Sequence, residues 1–219
     1  VLTDEDRFLV PELLPDLTRR TVLAMTYVSG QPIESIAELP QAERDRVMSA
    51  LVELLFIELF ELQMVQTDPN FANYQYHGRT GQIVLLDFGA TRRFRKGFAN
   101  NYKKLVASVM AEDYDRMLAV AERLGYAVGD ANTEYRALVL ELFLIALEPL
   151  MEDEPYDFGS SDMAQRMSEL AERAFDFRDF WEAPPTDAVY FHRKLGGMFM
   201  LATRLGARVN VHALIQRWL

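Results

Sequence analysis

Apolar side chains crowd almost every face of the segment from Val47 to Leu62: Val47, Leu51, Leu54, Leu55, Ile57, Phe60 and Leu62. This spacing predicts a helix, and a helix apolar nearly all round belongs inside a domain. Pro40 suits its first turn, Glu43 and Asp45 follow as acidic residues, and the run extends to about Met64. Ahead of it, residues 8–14 and 21–28 are short apolar, β-branched runs bounded by Pro15-Asp16 and Ser29-Gly30; they predict two strands forming a hairpin pair. Behind it, Gln66 to Asn73 reads as loop, since Pro69 does not sit inside a continuing helix. Tyr74-Gln75-Tyr76 and Ile83-Val84-Leu85-Leu86 flank a glycine-bearing turn, which predicts a β-hairpin ending in Asp87-Phe88-Gly89. Helical spacing then prevails over 97–111, 113–124, 132–151, 161–175, 187–205 and 211–219. Gly125, Gly206, Glu152-Asp153-Glu154-Pro155 and Ala183-Pro184-Pro185 punctuate it. The expected fold is therefore mainly α with a small β component.

Composition narrows the chemistry. The 219 residues, half of them hydrophobic, allow one large domain or two small ones. The net charge is −10 and the basic residues form no block, so a nucleic-acid partner has no support. An acidic chain can still take a nucleotide, because Mg²⁺ inverts the local charge logic. The absence of cysteine excludes disulfides, thiolate nucleophiles and cysteine-based zinc sites, and no His-x₃-His pair suggests a zinc hydrolase. The longest stretch without a charged residue, Thr21 to Ile33, contains Gly30 and Pro32 and is too short for a transmembrane segment. The chain opens on Val1 without a signal-peptide pattern and reads as a piece of something longer.

Three polar residues carry the candidate chemistry. Asp68 and Asn73 lie five apart on one loop, and Asp87 follows four aliphatic residues at a strand end. The intervening hairpin folds two carboxylates and a carboxamide towards one point. Mg²⁺ prefers such hard oxygen ligands and shares them with phosphates, while a second carboxylate can orient an attacking hydroxyl. Gly89 would let the chain turn sharply after Asp87. Asp-x₄-Asn or Asp-Phe-Gly alone is a weak signal; both, in this order and setting, favour catalysis over a purely structural origin.

Asp68-x₄-Asn73 followed by Asp87-Phe88-Gly89 resembles the catalytic loop and metal-binding triplet of protein kinases. Gln66-Thr67-Asp68-Pro69-Asn70, Leu85-Leu86-Asp87-Phe88-Gly89-Ala90-Thr91-Arg92, Val28-Ser29-Gly30-Gln31-Pro32, Phe158-Gly159 and His192-Arg193-Lys194-x-Gly196-Gly197 are similar to the UbiB, or AarF-domain, atypical protein-kinase-like family. The likeness is greatest to its coenzyme Q biosynthesis branch and spans nearly the whole chain. It implies a kinase-like helical C-terminal lobe over 31–219, with remnant N-lobe strands and hinge over 1–30. It implies Asp68 as the catalytic-loop aspartate, Asn73 and Asp87 as Mg²⁺ ligands, and Met25, Thr26, Tyr27 and Val28 as the hinge that meets the adenine of ATP. It also implies an atypical kinase or ATPase that supports ubiquinone synthesis, with lipid or quinone-pathway protein partners. The expected place is the cytoplasm or an organelle matrix, with peripheral membrane association.

Two departures from ordinary kinases bear on the reaction. Gln66-Thr67 stands where His-Arg is usual, and no Ala-Pro-Glu follows before helix resumes near residue 97. Phosphorylation of a protein in trans is disfavoured, and ATP hydrolysis or a small-molecule acceptor is at least as well supported. No glycine- or alanine-rich phosphate loop or Lys-x-Gly-Gln element is present, and none of Lys96, Lys103, Lys104 and Lys194 sits in a kinase-like lysine strand. Those parts are expected upstream of Val1, so the chain alone should bind nucleotide weakly and turn over negligibly. A small-molecule phosphotransferase of the aminoglycoside or choline kinase kind is one alternative, against which Phe88-Gly89 and Ala90-Thr91-Arg92 argue. A non-catalytic, lipid-binding pseudokinase scaffold is the other.

The remaining polar positions read more plainly. Arg92 and Arg93 either contact phosphate or pair with nearby acids. His192 is assigned to packing or capping, His77 to a solvated turn, and His212 to no role. Gly196-Gly197 inside a helical run costs about 1 kcal/mol per glycine relative to alanine. Close helix–helix approach is the ready explanation, and lipid contact the sharper one. Met198 and Met200 are expected as core filler.

Overall fold

The computed structural model describes residues 6–126, 133–174 and 184–219. Pro40 precedes helix α1 (Gln41–Phe56), which buries Val47, Met48, Leu51, Leu54, Leu55 and Phe56, as its all-round apolar pattern requires. The helix then widens into a π-helical segment, Ile57–Leu62, that buries Ile57, Glu58 and Leu59. Gln63 adopts a left-handed conformation, with φ 52°, and turns the chain into strand β3 (Met64–Gln66). The expected helix to Met64 therefore ends at Leu62, and Gln66 closes a strand instead of opening a loop.

The predicted hairpin is present. Strands β4 (Tyr74–His77) and β5 (Gln82–Leu85) pair antiparallel from Tyr74↔Leu85 to His77↔Gln82. Strand β1 (Phe8–Leu9) lies parallel to β5, and β2 (Gln31–Pro32) antiparallel to β4, which gives the order β1-β5-β4-β2. The expected hairpin between 8–14 and 21–28 does not form as two strands. Only Phe8 and Leu9 enter the sheet, and single bridges, Leu13↔Met25 and Arg19↔Val22, link the rest. Pro11 and Pro15 lack the N–H donors a ladder needs, and nothing covers Leu13, Leu17, Val22 and Leu23, all more than half exposed. A short strand β6 (Thr91–Arg93), not foreseen, pairs with β3.

Helices α2 (Lys96–Met110), α3 (Tyr114–Arg123), α5 (Met163–Ala174) and α6 (Thr186–Leu205) follow the predicted periodicity. Residue 175, expected to end the fifth of the six predicted segments, lies outside the described residues, as do residue 132 and Ala183. Helix α4 (Thr133–Ala146) stops short of the expected 151, because Pro149 breaks the ladder and leaves a 3₁₀ turn at Glu148–Leu150. Helix α7 (Val211–Ile215) likewise gives way to a 3₁₀ turn, Gln216–Trp218. Strands β7 (Tyr156–Asp157) and β8 (Arg208–Val209) tie the segment after α4 to the end of α6.

The main core gathers around α1, α2 and α6, with Leu51, Ile57, Leu105 and Leu201 almost fully buried. A smaller cluster of Leu138, Ile145, Met163 and Leu170 sits between α4 and α5. Polar ties set the hairpin on α1: the Tyr76 hydroxyl donates to Glu43 at 2.6 Å, and Arg46 donates to the Gly81 carbonyl at 2.5 Å. Arg44 reaches the Leu205 carbonyl at 2.6 Å and fixes the end of α6 against the start of α1. Among the described residues, no helix is long and apolar enough to cross a membrane.

Candidate active site

Two facing loops hold the candidate chemistry, and ladders close them at both ends. The β3–β6 ladder ends at Gln66↔Thr91. Just beyond it, the Thr67 N–H and hydroxyl both donate to the Ala90 carbonyl, at 3.3 and 2.8 Å. The β4–β5 ladder begins at Tyr74↔Leu85, and just before it the Leu86 N–H donates to the Asn73 carbonyl at 3.0 Å. Asp68 and Asp87 therefore lie on opposite sides of one small closed frame, and Asn73 stands at its corner.

Side-chain geometry sharpens this. Asn73, largely buried, donates from Nδ2 to Asp68 Oδ2 at 3.0 Å. That bond turns its amide oxygen away from Asp68 and leaves it available. Asn70 accepts from the Ala72 N–H at 3.1 Å and shapes the 3₁₀ turn Phe71–Asn73. Asp87 is exposed and accepts the Gly89 N–H at 2.7 Å, while Thr91 N–H reaches the Phe88 carbonyl at 3.1 Å. These two bonds make the tight turn that sends the chain back into β6. A Cβ on Gly89 would stand 3.1 Å from Asp87 Oδ1, so glycine keeps the carboxylate unobstructed.

The other sequence candidates fall around this frame. Met25, Thr26, Tyr27 and Val28 form an extended segment pinned by Thr26 N–H to the Glu12 carbonyl and Glu12 N–H to the Thr26 hydroxyl, both 2.9 Å. Tyr27 is 90% exposed, so its ring packs on nothing in this chain. Arg92 lies with its guanidinium 4.1 Å from the centre of the Tyr190 ring and 3.9 Å from Asp187. It thus leans on α6, in the acid-pairing arrangement expected as one of its two roles. His192 bridges the Tyr102 and Tyr126 hydroxyls at 2.6 and 3.0 Å, and burial pushes its imidazole down to about 4. It is a packing residue, as expected. His77 bonds Thr80 within its turn at 2.7 Å, and His212 contacts the Leu150 carbonyl at 2.7 Å.

Gly197 has a different reason from the one expected. A Cβ there would meet Pro69 Cβ at 2.4 Å, so it is the loop carrying Asp68, not a second helix, that presses on α6. Gly196 has nothing within 4 Å of its Cβ position. Met198 is core, but Met200 is 68% exposed and fills none.

Sequence reasoning missed three residues at the frame. Arg193 reaches Asp68 Oδ1 at 3.4 Å. Lys194 is buried on α6 and donates to the Tyr74 hydroxyl. Glu58 is buried beneath the frame and accepts from the Gln66 N–H at 3.5 Å. Burial pushes the Glu58 carboxyl up to about 7, against the pull of the Lys194 ammonium and the Gln66 N–H. A signal existed: Glu58 interrupts the helical stripe Leu51, Leu54, Leu55 and Leu62, and Lys194 interrupts Phe191, Met198 and Leu201. A charge on an otherwise apolar stripe is a buried charge in waiting.

The donor set suits a divalent cation shared with phosphate. It offers hard oxygens from Asp87 and the Asn73 amide, with Asp68 beside them. Among the described residues, no group of three or more His, Cys, Asp or Glu side chains could hold a metal ion.

Residues 1–121 match the model of the ABC1 atypical kinase-like domain, a stretch that includes both loops of the frame. The chain is 32% identical to the atypical kinase COQ8B, mitochondrial, of Rattus norvegicus over 99% of its own length and 40% of the relative's. It is 29% identical to the atypical kinase COQ8, mitochondrial, of Saccharomyces cerevisiae, covering 96% of this chain and 42% of that one. It spans well under half the length of these relatives. Among solved structures, Rv3197 of Mycobacterium tuberculosis in complex with erythromycin superposes with a TM-score of 0.75 at 18% identity, over 99% of this chain and 53% of that one. At that identity the likeness bears on fold alone.

Proposed function

Because the chain belongs to the ABC1 atypical kinase-like family, we propose that it supplies the catalytic-loop and metal-binding part of an Mg-ATP-dependent atypical kinase or ATPase that supports ubiquinone biosynthesis. The observation that carries this reading is the frame: Asp68, Asn73 and Asp87 on two loops laced together by Thr67–Ala90 and Asn73–Leu86. Family membership supports the kinase class, and the names of the rat and yeast relatives support the pathway.

In this reading Asn73 and Asp87 would hold Mg²⁺, whose contribution when bound would be to neutralise charge on the transferred phosphoryl group. Asn73 would do double duty: its Nδ2 fixes the Asp68 carboxylate, which leaves its amide oxygen as the atom that would hold the ion. Asp68 orients the attacking hydroxyl or water and accepts its proton. Arg193 stands beside the same carboxylate and steadies its charge. Met25 to Val28, with the Tyr27 ring exposed, would meet the adenine. The acceptor is water or a small molecule, since β6 runs almost directly into α2 and leaves no long docking segment for a protein substrate. Lipid contact and peripheral membrane association belong to the same proposal.

The test is Asp87→Asn in the complete protein, with Mg-ATP affinity measured by calorimetry. Binding should weaken at least tenfold, about 1.4 kcal/mol or more. Unchanged Mg-dependent affinity would remove the metal assignment. A wild-type protein that shows no Mg-nucleotide affinity would favour the scaffold reading instead.

A further inference from the structure

Resting on the reading of Asp68 as the catalytic-loop carboxylate, we propose that Glu58 and Lys194 are positioning residues, a buried couple from α1's π-helical extension and α6 that grips the loop at both its ends. Glu58 takes the Gln66 N–H at 3.5 Å, two residues before Asp68. Lys194 donates to the Tyr74 hydroxyl, one residue after Asn73, with its ammonium 5.1 Å from the Tyr74 ring centre. Between these grips, Gly197 lets α6 approach Pro69. Start, middle and end of the segment 66–74 thus bear on the same two helical elements.

The couple is buried deeply enough to need a reason. Glu58 is 6% exposed and Lys194 2%, and both sit in stripes where an apolar residue would pack. Glu58 and Lys194 make no salt bridge with each other; each reaches the loop instead, one at the Gln66 N–H and the other at the Tyr74 hydroxyl. Buried charges add little net stability, and apolar replacements of similar volume are often neutral or better. What they supply is direction: a buried charged group cannot relax into the core without a partner, so the part of the loop it bonds to is held in one place. Glu58 Oε2, both amide atoms of Gln66 and the Thr91 hydroxyl are buried without a protein partner, and Gln66 faces Thr91 across the β3–β6 ladder. The charged or titratable groups facing the couple are Tyr74 and, through Tyr74, Asp68.

The test compares Glu58→Gln, Lys194→Met and the double variant Glu58→Met/Lys194→Met in the complete protein. The double variant removes both charges together and is expected to fold with a midpoint close to wild type. Amide hydrogen exchange over residues 66–74 should nevertheless accelerate at least tenfold in it, while exchange elsewhere on α1 and α6 stays as before. If the folded double variant exchanges over 66–74 as the wild type does, the proposal is overturned. In turnover, kcat for Mg-ATP should fall at least tenfold while KM changes less than threefold; a rise in KM alone would refute positioning. The exchange result stands without any enzymatic reading, so a wild-type protein lacking turnover would count against the proposed function and leave this measurement to decide on the couple.

Discussion

Adjacent glycines on α6 should respond to the same substitution with opposite signs. Replacing a mid-helix glycine by alanine gains about 1 kcal/mol from lost conformational freedom in the unfolded chain. At Gly196 nothing lies within 4 Å of the new Cβ, so Gly196→Ala keeps that gain, worth about 2–4 °C in Tm for a chain of this size. At Gly197 the methyl carbon would lie 2.4 Å from Pro69 Cβ and 3.2 Å from Pro69 Cα. Carbon atoms prefer roughly 3.5–4.0 Å, so one partner must move by about 1 Å. Proline offers no rotamer to swing aside, and overpacking of this kind costs ~1–3 kcal/mol. Taking the upper end, Gly197→Ala should be about 2 kcal/mol less stable than the parent after the helical gain is subtracted. The two variants then differ by about 3 kcal/mol, on the order of 10²-fold in the unfolding constant. Urea unfolding followed by circular dichroism reads this directly, provided the m-values agree. Combining Gly197→Ala with Pro69→Gly removes the clashing Cβ and should recover most of the loss, as a double-mutant cycle. Equal midpoints for Gly196→Ala and Gly197→Ala would show that the Pro69 loop does not press on α6.

Further outcomes follow from the buried groups. His192, held down to about 4 by burial, takes up its proton only in the unfolded chain between that value and about 6.5. Its contribution, roughly 3 kcal/mol, is therefore full above pH 6.5 and lost as pH falls towards 4. Glu58, raised by burial to about 7, acts oppositely: the folded state holds the extra proton, so its contribution is full at acid pH and lost as pH rises through 7. The two slopes oppose each other between about pH 4.5 and 6.5. Relative to wild type, denaturation midpoints of Glu58→Gln should tilt upwards with pH across that range, and those of His192→Gln downwards; parallel profiles would refute the assignment. Tyr76→Phe removes the 2.6 Å bond to Glu43 and should lower stability by about 1.5 kcal/mol in thermal unfolding, with no change in Mg-nucleotide affinity.

What the sequence determined by itself was the local and periodic part of this protein. The all-round apolar run from Val47 to Leu62 settled a buried helix, because a 3.6-residue repeat of that kind has no other stable home. Glycine in the turn between two apolar runs settled β4–β5, and Asp68, Asn73 and Asp87 could be singled out because their order and spacing are written in one dimension. The tertiary structure decided whatever depends on segments distant along the chain. Phe8 and Leu9 took β5 as partner instead of 21–28, because the ladder with the covered face gains more than the exposed one. β3 and β6 are too short for a period-2 signal and exist only because they pair with each other. Gly197 meeting Pro69, and Lys194 meeting Tyr74 120 residues away, are likewise matters of how α6 lies across the loop. Such contacts form only after the core has set the helix in place, so a local pattern can mark Lys194 as buried but cannot name the partner it meets.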